Sequence, residues 1–394
     1  MTKFSDTAPI LVTCPRDMPE YLQAELTRLG FSRTIPLDAG VEVHGSLDDC
    51  MRLNLWVRTG HRVLFELKRF RAFDADELYR EAKRIAWEEY IPADGYFRVD
   101  ASVRDTTVND ARFAGLRVKD AVADRFTGLT GARPDSGPDT SGVCLFLHWR
   151  ENRATLYLDT TGEPLPRRGY RKRPHKAPMQ ETLAAACVLA SGWPGLAAEG
   201  GHFIAPMCGS GTLPIEAALM AMNGAPGLLR DEFAFMRVVG YTPEAWDDLL
   251  GQAEDAEVPE IKGRIIATDH DPEAIEAARD NARLAGVGDF IEFQVCDFTE
   301  TEVPEGPGVV MLNPEYGMRL GEIESLKAVY KGIGDFFKRR CGGKAGFIFT
   351  GNMDLAKCVG LRTKRRRVFW NAKIECRLLE YELYAGTKKG GGPQ

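Results

Sequence analysis

Apolar residues recur along this chain with two periods, and the period changes from segment to segment. Val63, Phe65 and Leu67 alternate with polar neighbours over 61–69, which predicts a half-buried strand. Val41 and Val43 alternate in the same way. Residues 46–57 carry helical spacing. Asp74 stands where an N-cap belongs, ahead of a helix bearing Leu78, Ala82 and Ile85. A strand is predicted over 96–103. A helix follows over 110–127, with Leu116, Ala121 and Val122 on its apolar side and Arg112, Arg117, Lys119 and Arg125 toward solvent. Two more strands, 143–149 and 154–159, are joined at Glu151 and Asn152.

Regular patterning stops over 160–178, where Gly162, Pro164, Pro166, Gly169, Pro174 and Pro178 punctuate the chain. It resumes over 180–385 as strands alternating with helices, the mark of a mostly parallel sheet. The candidate strands are 202–204, 264–268, 291–295, 309–312 and 345–350. The last two, 367–370 and 375–384, lie too close for a helical crossover. They are predicted to pair antiparallel across Asn371 and Ala372. The fold class is therefore α/β, a mostly parallel sheet with a carboxyl-terminal antiparallel hairpin, preceded by a smaller α/β part.

Composition narrows the function classes. The 394 residues contain nine cysteines, with no C-x-x-C pair, and six scattered histidines. Reduced thiols and no metal site are expected. No stretch approaches the ~20 apolar residues that span a bilayer, and residues 1–10 lack the basic start and apolar run of a secretory leader. A cytoplasmic protein with no membrane partner is expected. The formal net charge is −6, so any nucleic-acid contact must come from local basic runs. Two exist. Arg167, Arg168, Arg171, Lys172, Arg173 and Lys176 crowd the punctuated linker, and Arg362, Lys364, Arg365, Arg366 and Arg367 precede the hairpin.

Four strand ends carry candidate chemistry. Pro206-Met207-Cys208-Gly209-Ser210-Gly211-Thr212 follows an apolar strand and opens a helix; Gly209 and Gly211 let a ligand approach the backbone. Asp269 ends the next strand, where a carboxylate can accept from both hydroxyls of a ribose. Asp271 and Pro272 read as an N-cap and first helical residue. Asp269 lies far beyond the ~20-residue spacing of the dinucleotide fingerprint, because residues 224–262 are interposed, so a nicotinamide enzyme is not indicated. Asp297 and Phe298 follow the third strand, placed to meet an adenine amino group and ring. Asn313-Pro314-Glu315-Tyr316 follows the fourth. The Asn313 side-chain oxygen and the Pro314 carbonyl can both accept from one exocyclic amine, and Tyr316 offers a ring for base stacking. A neutral amine needs no strong base, so positioning is the main contribution.

Together these residues resemble the bacterial methyltransferases with a THUMP domain that make N2-methylguanosine in large-subunit ribosomal RNA. The resemblance spans nearly the whole chain. It rests on the segment 104–126 ending in LRVKDAVADRF, the linker LDTTGEPLPRRGYR, APMCGSGT, NPEYGMRLG, the Phe349-Thr350-Gly351-Asn352 run and the hairpin KRRRVFWNAKIECRLLEYELY, in the family's order. It implies a Rossmann-like class I methyltransferase domain with a seven-stranded sheet, S-adenosyl-L-methionine as cofactor and structured RNA as partner: 23S rRNA or an assembling large subunit, with tRNA as the other candidate. By this likeness Pro206, Met207, Cys208, Gly209, Gly211 and Thr212 surround the methionine part of the cofactor, Asp269 its ribose, and Asp297 with Phe298 its adenine. Asn313, Pro314 and Tyr316 hold the target base. The implied partition is a ferredoxin-like part over 1–45, a THUMP domain over 46–160, a basic linker over 161–180, one methyltransferase domain over 181–387 and a tail over 388–394; long family members carry a second methyltransferase domain. Two positions depart from the family pattern, Ala205 where Asp is usual and Glu315 where a second Pro is usual.

The residues leave three readings open: guanine-N2 transfer on rRNA or tRNA, N6-adenine transfer, and a catalytically degenerate RNA-binding relative. A carboxylate at Glu315 matches the N1–H and N2–H2 donors of guanine and opposes the N1 acceptor of adenine. Phosphate contacts are expected from Arg167, Arg168, Arg171, Arg173, Lys176, Arg365, Arg366 and Arg367. Each such contact contributes a slope of about −0.7 to −0.9 to log affinity against log salt. Filter binding of ribosomal RNA across a salt series is expected to show a steep fall; a flat response contradicts the assignment of the basic runs.

Overall fold

The computed structural model describes residues 3–104, 107–173, 179–317 and 320–384. Lys176 and the glycine- and lysine-rich tail lie outside them. The chain divides into two compact units. One gathers the described residues up to Pro15, Leu22–Arg167 and Pro226–Ala253; the other gathers Arg16–Tyr21, Arg168–Ala225 and the described residues from Glu254 onward.

The first unit holds eight strands: β1 (Ala8–Thr13), β2 (Ile35–Leu37), β3 (Gly40–Gly45), β4 (Arg62–Arg71), β5 (Tyr96–Arg104), β6 (Asp135–Ser136), β7 (Val143–Arg150) and β8 (Arg153–Asp159). Their order in the sheet is β2-β3-β1-β4-β8-β7-β5-β6. Helix Leu47–Trp56 starts in a capping box. Asp49 N–H donates to Ser46 Oγ at 3.2 Å, and Ser46 N–H donates to Asp49 Oδ2 at 2.9 Å. Helix Ala111–Thr130 buries Ala114, Val118, Ala121, Val122 and Phe126, a stripe at three- and four-residue steps. Leu116 was expected on that stripe; it falls two positions from Ala114 and Val118 and is 52% exposed. Residues Pro226–Ala253, most of the segment interposed before Asp269, fold with this first unit. Ala234 and Phe235 N–H donate to the carbonyls of Thr161 (3.3 Å) and Thr160 (3.0 Å). A side chain at Gly227 would place its Cβ 2.5 Å from the Leu55 backbone, so only glycine permits that approach.

The second unit holds seven: β9 (His202–Pro206), β10 (Ile265–Asp269), β11 (Ile291–Val295), β12 (Gly308–Leu312), β13 (Ala345–Thr350), β14 (Arg365–Asn371) and β15 (Ile374–Glu382). Their order is β11-β10-β9-β12-β13-β15-β14. The first five run parallel, and β15 pairs antiparallel with both β13 and β14. The chain moves outward from β9 to β11, then returns to the other side of β9 as β12. In open α/β sheets ligands bind at such a reversal, outside the carboxyl ends of the strands. The hairpin pairing runs to Asn371 opposite Ile374, so the turn residues are Ala372 and Lys373 rather than Asn371 and Ala372. Ala372 takes the left-handed conformation that a two-residue turn demands, φ 53°.

One expected RNA contact is instead core. Arg168 is 1% exposed and forks onto Glu216, Nε to Oε1 at 2.8 Å and Nη2 to Oε2 at 3.2 Å. Tyr170 Oη donates to the same Oε1 at 3.2 Å. A guanidinium so enclosed cannot reach a phosphate. Its partner is the lone acid in the apolar helix Thr212–Ala221, so the pair clamps the linker to the helix that follows the glycine loop. Removing one member of a buried pair leaves an uncompensated charge and costs about 3–5 kcal/mol. Glu216→Ala is expected to lower the unfolding free energy by that amount in a denaturant titration, with Arg168→Met/Glu216→Met recovering most of it. Equal losses in the single and double variants contradict the clamp.

Candidate active site

The glycine loop and Asp269 form one hydrogen-bonded cradle. Residues Met207–Gly211 connect β9 to helix Thr212–Ala221, and Met207, Gly209 and Gly211 all have positive φ (57°, 54°, 86°). Cys208 N–H donates to the Thr268 carbonyl at 2.9 Å, which ties the loop to β10. Gly209 N–H donates to Asp269 Oδ2 at 2.9 Å, and Asp271 N–H to Oδ1 at 3.1 Å. Asp269 is therefore held at a fixed angle, 9% exposed, with two of its roughly four lone-pair sites still unused. Asp271 caps helix Pro272–Leu284 through Glu273 N–H, as its position suggested.

The two loop glycines serve different ends. A Cβ on Gly211 would stand 2.9 Å from the Ala278 Cβ, so this glycine allows the loop to pack on helix Pro272–Leu284. A Cβ on Gly209 would meet no described atom within 4 Å. The space over Gly209 is open and lies beside a nearly buried carboxylate. Burial pushes the Cys208 thiol well above its ordinary value, so it stands neutral beside that carboxylate. Pro206 is buried at the strand end. Thr212 Oγ1 accepts from Arg171 Nη2 at 3.0 Å.

At the end of β11, Asp297 caps a short turn of helix. Thr299 N–H and Oγ1 donate to its Oδ1 at 2.9 and 2.6 Å, which leaves Oδ2 for a ligand. Phe298, expected beside an adenine ring, packs edge-on against Phe336 with centroids 6.1 Å apart and lies over Gly332 of helix Leu320–Arg340.

At the end of β12, Pro314 is buried, Tyr316 half-buried and Glu315 exposed. Asn313 Oδ1 is buried and accepts no hydrogen bond from any described residue. An acceptor left so costs about 1–3 kcal/mol, and the donor it lacks is what an amine brings. Tyr316 is held at both ends. Asn371 Nδ2 donates to its hydroxyl at 3.0 Å and Asn352 Nδ2 to its carbonyl at 3.3 Å. Burial pushes the Tyr316 phenol up, so it stands neutral. Neither asparagine was a candidate from sequence. Asn352 follows a strand end like the other candidates, which is a usable signal; Asn371 reads as an ordinary turn residue.

The parallel register puts these groups on one edge. Asp269 pairs across from Val295, Thr268 from Pro206, and Val310 from Ile204. The turns at Gly209, Asp269, Asp297 and Asn313 all leave the sheet at its carboxyl edge. The basic residues divide. Arg167 pairs with Glu163, and Arg173 Nη1 pairs with Asp280 (2.7 Å) and Glu276 (3.1 Å). Arg171 is spent on the Met179 carbonyl and Thr212. Arg367 pairs with Glu380 at 3.0 Å. Arg365 and Arg366 are exposed on edge strand β14. No group of three His, Cys, Asp or Glu among the described residues could hold a metal ion, and no described helix is long and apolar enough to cross a membrane.

Known proteins share this arrangement. Residues 168–380 match the UPF0020 family, an RMKL-like methyltransferase domain; residues 72–159 match the THUMP domain and residues 9–64 the RlmL ferredoxin-like domain. A Syntrophotalea carbinolica protein, "Ribosomal RNA large subunit methyltransferase K/L", is 40% identical over 95% of this chain, which covers 54% of that protein. The chain thus spans about half the length of this curated relative. A Synechocystis protein, "Putative RNA methyltransferase slr0064", is 36% identical over 96% of this chain and 97% of its own length. The solved structure of "SMU.472, a putative methyltransferase complexed with SAH" superposes with a TM-score of 0.87 at 26% identity, over 97% of this chain and 99% of that one. The chain belongs to the family of RMKL-like methyltransferases, in which a Rossmann-like methyltransferase domain follows a THUMP domain.

Proposed function

We propose that this chain methylates the exocyclic N2 of a guanine in large-subunit ribosomal RNA. The observation that carries the reading is the unpaired Asn313 Oδ1, at the end of a strand that pairs in parallel with the strand leading to Gly209. An amine acceptor and a nucleoside cradle then face one crevice. The identity to a protein named for large-subunit ribosomal RNA supports the choice of substrate.

The cofactor is S-adenosylmethionine, which supplies an activated methyl group when bound. The Gly209 loop and Asp269 hold its amino-acid part and ribose, and Asp297 Oδ2 is placed for the adenine amine. Asn313 Oδ1 and the Pro314 carbonyl each accept one hydrogen of the guanine amine, which turns the nitrogen lone pair away from both. Tyr316 stacks on the ring. The proton leaves late, to water, so the site needs no strong base, and the residues act by orientation. Glu315, exposed beside this turn, faces solvent where it can meet the N1–H and N2–H2 edge of the base. The THUMP and ferredoxin-like parts over 1–160 and the exposed Arg365 and Arg366 bind the surrounding RNA.

Two outcomes are expected. Mass spectrometry of nucleosides from ribosomal RNA of a deletion strain shows loss of one N2-methylguanosine, restored by the wild-type chain and not by Asn313→Ala; loss of N6-methyladenosine instead contradicts the reading. Glu315→Gln weakens turnover on guanine relative to adenine by roughly tenfold, the scale of one charge-assisted hydrogen bond of about 1.5–3 kcal/mol. Unchanged turnover and base preference remove the role given to Glu315.

A further inference from the structure

The hairpin β14–β15 departs from a simple parallel dinucleotide-binding sheet, and its tip lies at the same edge as the base turn. Thr350, the last residue of β13, stands opposite Arg377, and β15 begins three residues earlier at Ile374. The tip therefore projects past the sheet on the side where Asn313 and Tyr316 leave β12. Cross-strand partners point to one face, so Asn371, Ile374, Phe369 and Cys376 share a side.

Among the described residues, the hydrogen bonds of Tyr316 come from this hairpin and from the loop after β13. Its hydroxyl accepts from Asn371 Nδ2 at 3.0 Å. Its carbonyl accepts from Asn352 Nδ2 at 3.3 Å. Its ring edge lies against Gly351, where an added Cβ would stand 3.1 Å from ring atoms Cδ2 and Cε2 and 3.1 Å from Ile374 Cγ2. A tyrosine ring turns about two torsions. The anchored hydroxyl holds the long axis of the ring and the contact at Gly351 limits rotation about that axis, while Asn313 in the same turn keeps its unpaired acceptor.

We propose that Asn371 is a positioning residue for the target base: from the hairpin tip it holds the far end of the Tyr316 ring, so that the face on which the base stacks is in place against Gly351. This rests on the reading of Asn313–Tyr316 as the base site. The Asn371 side chain reaches Tyr316, so its loss acts through that ring. Stacking is worth more when the ring is already in place before the base arrives, so the effect belongs in the KM for RNA and not in the affinity for the cofactor.

The test uses the full chain, ribosomal RNA from a strain lacking the gene, and radiolabelled S-adenosylmethionine. Asn371→Ala is expected to raise the KM for RNA about three- to tenfold, the scale of one lost hydrogen bond. The calorimetric affinity for S-adenosylhomocysteine stays unchanged. Tyr316→Phe, which deletes the same bond from its other end with little risk to folding, gives a similar rise, and the double variant no more than either single one. In NMR spectra with labelled tyrosine, the Tyr316 ring flips faster in Asn371→Ala. The inference is overturned if Asn371→Ala leaves both the KM and the ring-flip rate at wild-type values, or if the two substitutions add in full. A wild-type chain that transfers no methyl group to RNA, with normal restraint of the Tyr316 ring, overturns instead the base-site reading on which the inference rests, and the inference with it.

Discussion

Parallel pairing between β9 and β12 is the constraint on which the methyltransferase unit depends. Two strands consecutive in space but separated in sequence by β10 and β11 must run the same way, and their following turns must then leave at the same edge. The glycine loop that ends one and the Asn313 turn that ends the other become neighbours without any contact between their side chains. Reversing either strand would send one turn to the far edge. The buried Arg168–Glu216 fork, which secures the helix after the glycine loop, and the tie from Cys208 to β10 keep that edge in register.

Around this edge the site divides its labour between backbone and side chain. Gly209 and Asp269 lock each other, so the cradle is set before any ligand arrives. Gly211 gives up its side chain for helix packing and Gly209 for open space, two reasons that a Gly-x-Gly spelling does not separate. On the other side, Asn313 retains an unmet acceptor at a cost to stability. An incoming amine is the donor we propose for it. Phe298, half-buried, packs edge-on against Phe336 of helix Leu320–Arg340.

Sequence pattern revealed most of the sheet because its signals are local. Strand β13 follows from a short apolar run, β11 from alternation, and the hairpin from two runs too close for a crossover. Gly209, Asp269, Asp297 and Asn313 were each legible from their place at or just after a strand end, and all four share one edge. Long-range pairing was not legible. Arg168 looks like its neighbours in a basic run, and only Glu216, 48 residues away, makes it core; an acid inside an otherwise apolar helix was the available clue. Leu116 misleads because the buried stripe of helix Ala111–Thr130 runs through Ala114, Val118, Ala121 and Phe126, and Leu116 lies off it. Asn371 became visible only when the hairpin closed beside Tyr316.

The central claim is that one crevice seats the methyl donor and the guanine amine together. A bisubstrate analogue, with the N2 of guanosine tethered to the sulfur position of the cofactor's adenosine, measures this directly by calorimetry. The account predicts that the analogue binds more tightly than S-adenosylhomocysteine, that Asp269→Ala weakens both ligands, and that Asn313→Ala weakens the analogue alone. An analogue that binds no better than S-adenosylhomocysteine, and is indifferent to Asn313, contradicts it.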